Sequence, residues 1–138
     1  MDQRPEFGDS FLVGIEQIDR EHRRLFDIAG RAYDCLGAGG AVDHAGLRAT
    51  VAELIDYTAT HFANEEGLMA AAGYPELAAH REQHRHLMSR VGDMEMRVEI
   101  GDAAVALDLT QFLYRWLVEH IESSDHRFGE FARAQQAS

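Results

Sequence analysis

The chain has 138 residues, 24 of them acidic against 13 basic, for a formal net charge of -11 at pH 7. Such a field repels phosphate backbones and anionic lipid, which argues against nucleic-acid and membrane-surface roles. A hydrophobic fraction of 46% supports a real core in a length that suits one domain over residues 1–138, and the single cysteine, Cys35, rules out an intrachain disulfide and reads as a small apolar packing residue.

The opening Met1 to Ser10 is polar and carries Asp2, Glu6 and Asp9, unlike a secretory leader. No apolar run is long enough to span a bilayer, so the expected location is cytoplasmic. The segment ahead of His22 is too short for a long helix and is expected to form an ordered arm anchored by Phe7, Phe11 and Leu12. Four amphipathic stretches follow, each advancing by three or four residues, the helical period. The first carries Ile15, Ile18, His22, Leu25, Phe26, Ala29 and Tyr33 and stops at Gly37, Gly39 and Gly40. The second carries Leu47, Val51, Leu54, Thr58, His61, Glu65 and Leu68, and Gly73-Tyr74-Pro75 ends it, with Pro75 suited to the first turn of the next helix. The third carries Leu77, His80, His84, Leu87, Val91, Met94 and Val98 and ends near Gly101, where Asp102 is the expected N-cap of the next. The fourth carries Val105, Leu109, Phe112, Leu113, Trp116, Leu117 and His120; beyond it, Phe128 and Phe131 suggest a short terminal helix. Short connections between long helices predict an all-α, antiparallel up-down-up-down four-helix bundle with an N-terminal arm and a short C-terminal helix.

The seams of these helices hold polar groups where apolar ones belong. His61 and Glu65 are four apart, as are His80 and His84, so each pair lies on one helix face. Burying such groups without partners is costly. With His22, His120 and Asp125 added, five histidines and two carboxylates on four seams point to a metal centre. His120 and Asp125 are five apart, about 140° on an α-helix. Both reach one centre only if the helix loosens between them, and the poor helix formers Ser123 and Ser124 sit there. Seven donors exceed the four of a structural zinc and suit two metals bridged by carboxylates. The sequence lacks the HExxH of zinc proteases and the Glu-x-x-His pairs of ferritin-like di-iron proteins.

Four segments together resemble the hemerythrin family, specifically the single-domain bacterial hemerythrins. They are Gly14-Ile15-Glu16-Gln17-Ile18-Asp19-Arg20-Glu21-His22, His61-Phe62-Ala63-Asn64-Glu65-Glu66, Tyr74-Pro75 leading to His80 and His84, and Trp116-Leu117-Val118-Glu119-His120-Ile121 with Asp125. The resemblance runs from about Phe7 to Phe131, with the family's ligands matched in order and spacing. One departure is Phe7, where bacterial members commonly have Trp, which bears on arm packing rather than on iron.

The resemblance implies that His80, His84 and His120 bind one iron and His22 and His61 the other. It implies Glu65 and Asp125 as bridges, with an oxo or hydroxo bridge from solvent. One iron is then six-coordinate and the other five-coordinate, with an open position for dioxygen. The implied function is reversible dioxygen binding for storage, transport or delivery, without enzymatic turnover. The alternatives are a di-iron peroxidase, a nitric-oxide or peroxide detoxifying enzyme, or an oxygen sensor acting through a separate protein partner. Phe62, Trp116, Leu117 and Val118 flank ligands and are candidate walls of the dioxygen pocket. Asp19 is a candidate outer acceptor for His22, with a helix-start role as the alternative. Glu66 reads as part of a solvated face, and His44, His86 and His126 as surface histidines.

Overall fold

The four stripes become four long helices: α1 (Glu16–Asp34), α2 (His44–Ala72), α3 (Leu77–Glu99) and α4 (Val105–Glu119). A 3-10 turn, Asp9–Phe11, precedes them, and a π-helical segment, His120–Asp125, joins α4 to a terminal helix α5 (His126–Ala137). The computed structural model describes residues 4–37, 42–102 and 104–137. Consecutive helices pack on one another and α4 also packs on α1, closing a ring of four. The short connections make neighbours antiparallel, as predicted. Among the described residues there is no strand, and no helix is long and apolar enough to cross a membrane.

The apolar stripes supply the core. Ile18, Phe26 and Ile28 of α1 meet Leu47 and Met69 of α2 and Leu109 and Leu113 of α4, all 2% exposed or less. Burying one such side chain contributes about 1.5–3 kcal/mol. Cys35 is also buried, which pushes its thiol pKa up, helped by the nearby charge of Asp43, and fits the packing reading.

Local chemistry sets the helix ends. Asp43 caps α2 by accepting the Gly46 N–H at 2.9 Å. Gly73 ends α2 at φ 69°, and the Tyr74 N–H returns to the Met69 carbonyl at 3.0 Å. Only glycine takes that left-handed conformation without strain. Gly37, at φ 71°, lies past the end of α1; Gly39 and Gly40 lie outside the described residues. Pro75 sits in a turn ahead of α3, closed by Leu77 N–H to Tyr74 carbonyl, rather than in the helix's first turn. Asp102 is not the cap of α4. Its pairing with Arg97 Nε at 2.9 Å holds it back toward α3, and it accepts the Ala104 N–H at 3.0 Å, so Ala104 occupies the cap position.

The arm is anchored differently from expectation. Phe11 stacks on Phe26 at 4.9 Å and Phe7 meets Phe26 edge-on at 5.7 Å, but Leu12 is 40% exposed. Val13, 2% exposed, takes its place. The reason lies in α5: a Cβ on Gly129 would stand 2.2 Å from the Val13 carbonyl oxygen, so glycine lets helix and arm touch backbone to backbone. Arg133 donates to that same carbonyl. Asp19 accepts the Val13 N–H at 2.7 Å and the Gly14 N–H at 3.2 Å.

Candidate metal centre

All seven predicted donors point into one sealed space between the helices. His22 comes from α1, His61 and Glu65 from α2, His80 and His84 from α3, and His120 and Asp125 from the two ends of the π segment. Their exposures run from 0% for Glu65 to 7% for His120. Glu65, His80, His84, His120 and Asp125 each offer one donor atom within 4.8 Å of the others, and His22, His61 and Glu65 form a second such group.

The carboxylate oxygens sort themselves between the two groups. Glu65 Oε1 faces His80 at 2.8 Å and His84 at 3.1 Å, while Oε2 faces His61 at 3.4 Å and His22 at 3.5 Å. Asp125 Oδ1 faces His80 at 2.9 Å and His120 at 3.2 Å, while Oδ2 faces His22 at 3.0 Å. Each acid thus presents one oxygen to two of the three rings His80, His84 and His120 and the other to the His22–His61 side. The histidine atom is Nε2 throughout.

The π segment makes the Asp125 contacts possible. An α-helix would carry Asp125 about 140° away from His120. A π-helix bonds each N–H to the carbonyl five residues back, so residues five apart face the same way. The His126 N–H bonds to the Ile121 carbonyl in that pattern. The expected loosening is therefore a change of helical register rather than a break.

The donor set fits metal ions better than it fits its own hydrogen bonds. Glu65 Oε2 and both oxygens of Asp125 are buried with no hydrogen-bond partner. The nitrogens near them stand off the line of a bond and aim at shared space. His84 Nε2 and His120 Nε2 face each other at 3.2 Å, an arrangement that needs a proton or a cation between them. Without metal, protons must do this work. Burial lowers the pKa of His61, but Glu21 and Glu65 outweigh it and raise it to about 9. His80 also reaches about 9, its burial outweighed by Asp125 and Glu65. Burial raises Glu65, yet His22, His61, His80 and His84 together hold it well below the carboxylate range. Burial dominates at His120 and lowers it. Cations in place of these protons would meet the unpaired oxygens of both acids and the facing ring nitrogens.

Two acids absent from the predicted set complete the surroundings. Glu21, 8% exposed, meets His61 Nδ1 at 2.6 Å. Glu66 meets His84 Nδ1 at 2.7 Å, so it is more than part of a solvated face. The only sequence signal for either is an acid adjacent to a ligand. Asp19 bonds the Val13 and Gly14 N–H groups of the arm, which is neither the outer-acceptor role for His22 nor a cap of α1. His86 is exposed as expected and His44 is half-buried. His126 departs from the surface reading, because its Nε2 is sealed without a partner.

Among the wall candidates, Phe62 stacks on His84 at 3.6 Å and 2°, and Trp116 on His120 at 4.2 Å and 18°. Phe62 and Leu117 are buried at 5% and 3%, while Trp116 and Val118 are half-buried. A surface cleft of about 390 Å³ reaches Trp116 and the edge of His120, on the three-histidine side.

The model of the family described as "Hemerythrin HHE cation binding domain" matches residues 13–132. A bacteriohemerythrin of Stenotrophomonas maltophilia is 33% identical over 126 residues, covering 91% of this chain and 80% of that protein. Myohemerythrin-1 of Phascolopsis gouldii is 30% identical over 122 residues, covering 88% and 89%. A crystal structure of a wild-type hemerythrin superposes with TM-score 0.76 at 30% identity, covering 94% of this chain and 95% of that one. Geometry and comparisons agree on a ligand cluster of the non-heme di-iron type.

Proposed function

Because the chain belongs to the hemerythrin family, we propose that it binds dioxygen reversibly at a pair of iron ions, for oxygen storage, transport or delivery. The observation that carries this reading is the sorting of oxygens: Glu65 and Asp125 each turn one oxygen to the His80–His84–His120 side and the other toward His22 and His61. His80, His84 and His120 would hold one ion and His22 and His61 the other, with Glu65 and Asp125 spanning both. The second ion then has one protein ligand fewer, which leaves room for a small molecule on that side. An iron pair, when bound, supplies two electrons and that vacant position.

The chain's own residues favour carriage over turnover. Five neutral imidazoles against two carboxylates put less negative charge on the ions than an acid-rich set would, so highly oxidised states gain less. Phe62 and Leu117, with Trp116 and Val118 half-buried beside them, keep water from the space around the donors. In this reading the protein works in the cytoplasm.

An optical spectrum tests the proposal. The reduced, iron-loaded protein should change on exposure to air and return on degassing over many cycles, with two irons per chain. Rapid turnover of peroxide or nitric oxide with added reductant, and no release of oxygen on degassing, would replace this reading with the enzymatic one. One zinc per chain after growth in iron-replete medium would remove the di-iron reading altogether.

A further inference from the structure

Glu21 and Glu66 occupy matching places on opposite halves of the centre, but they are not equivalent. Each directs one carboxylate oxygen at the Nδ1 of a histidine whose Nε2 faces the donor cluster. Their second oxygens meet different partners. Glu21 Oε2 accepts from Asn64 Nδ2 at 2.9 Å and Gln17 Nε2 at 3.1 Å, both neutral amides. Glu66 Oε1 accepts from the Arg81 guanidinium at 3.2 Å. The Glu21 side chain is 10% exposed and that of Glu66 is 23%. The charge on Glu21 is therefore fixed by dipoles and little screened, whereas Glu66 shares its charge with a cation and with water. The halves differ in one more way: His22 Nδ1 is buried with no acceptor.

We propose that Glu21 is the positioning residue that holds the two-histidine metal and enriches it in electrons, a role that Glu66, offset by Arg81, plays only weakly for the three-histidine metal. This rests on the di-iron reading above. An acid on Nδ1 keeps the proton there, frees the Nε2 lone pair for metal and raises its basicity. On the three-histidine side the acid reaches one ring of three, His84, and shares its charge with Arg81. On the other side it falls on His61 alone, because His22 has no outer partner. A more basic His61 stabilises the oxidised metal and lowers the potential of the half with the vacant position. That half would also hold the position open to dioxygen, so its potential would bear on the pair's two-electron chemistry.

The test compares Glu21→Gln with Glu66→Gln, each close in shape to the acid it replaces. The first readout needs no oxygen: equilibrium titration of the metal-free proteins with cobalt(II). Wild type should take two equivalents. Glu21→Gln should bind the second about 10–100-fold more weakly and leave the first unchanged, and Glu66→Gln should lose clearly less. The second readout is the reduction potential of the iron-loaded proteins, which should rise in Glu21→Gln by more than in Glu66→Gln. Wild-type titration and potential in Glu21→Gln, or a larger effect in Glu66→Gln, would overturn the proposal. Should Glu21→Gln fail to fold, the exposed Arg81→Leu decides: releasing Glu66 from its cation should lower the potential, and an unchanged potential would refute the same logic. A wild type that takes only one cobalt would instead mark failure of the di-iron reading, and the Glu21 proposal would fall with it.

Discussion

Glu65 carries more of the centre than any other side chain, since four imidazoles lean on its two oxygens. Replacing it with alanine leaves His22 and His61 facing a buried void, and each stranded buried group costs about 1–3 kcal/mol. Glu65→Ala should keep the bundle but hold one iron, or two that are weakly coupled, which metal analysis and magnetic measurements will show. Two strongly coupled irons in that variant would remove its bridging role. The wall residues divide by burial. Phe62→Ser and Leu117→Ser should oxidise several-fold faster in air than Val118→Ser, because only the first pair is sealed at present; equal decay rates of the oxygenated spectrum would count against that division. At this scale six of the clustered donors were readable because they stand on periodic apolar stripes, and Asp125 only through its five-residue interval from His120. Glu21 was not, because its burial comes from a partner 40 residues away on another helix. An acid on the shoulder of a helix looks solvated until that neighbour is placed. The same holds for His126, whose sealed nitrogen depends on how α5 lies.

The element that decides whether the site closes is the π segment His120–Asp125. The five-residue spacing announced a distortion, but spacing does not say whether the helix breaks or widens. Packing does: buried Ile121 on one side and Phe128 on the other hold α4 and α5 nearly continuous. A π turn is in effect an α-helix with one residue inserted. Deleting Ser123 should therefore leave His120 and the aspartate four apart in an ordinary α-helix, still on one face, with both metals retained. Inserting one alanine after Ser123 should turn the aspartate out of both registers and abolish the second metal. Metal content beside circular dichroism separates these outcomes, and loss of metal in the deletion would show that the widened turn itself is required. The bundle's order, stripes and turns were readable for the same reason as the donors, since periodicity and glycine positions are local. The arm was not: Leu12 and Val13 alternate in the sequence, and which one goes inward depends on the close approach of Gly129.

Across the whole molecule, the metal-free centre makes stability depend on pH in an unusual direction. His61 and His80 titrate near 6.5 when unfolded and near 9 in the metal-free fold. Their contribution is complete below about 6.5 and disappears as pH rises through about 9. Glu65 and Asp125 are depressed, so their contribution is present above the ordinary carboxylate range and is lost as pH falls through their lowered values. The metal-free protein should be most stable near pH 5–6.5, with a melting midpoint lower by ~5 °C or more at pH 9.5. The loaded protein should behave oppositely in the alkaline range, because metal needs those rings deprotonated and stabilises only the folded state. Thermal melts of both forms from pH 5 to 9.5 check this, and parallel curves would place the rings outside the folded core.

The clasp between arm and terminal helix fixes an order of events during biosynthesis. Arg133 reaches Val13, 120 positions earlier in the chain, and Gly129 presses on the same carbonyl. A ribosome delivers the chain from its amino end, so the partner that pins the arm arrives after four helices already exist. Asp125 is likewise the last donor to emerge, only a few residues ahead of that clasp. A nascent chain stalled before it exposes rings and one carboxylate with no second acid to span two ions. Assembly of the full seven-donor set is thus deferred until the segment carrying Asp125 has emerged, after all four helices of the bundle.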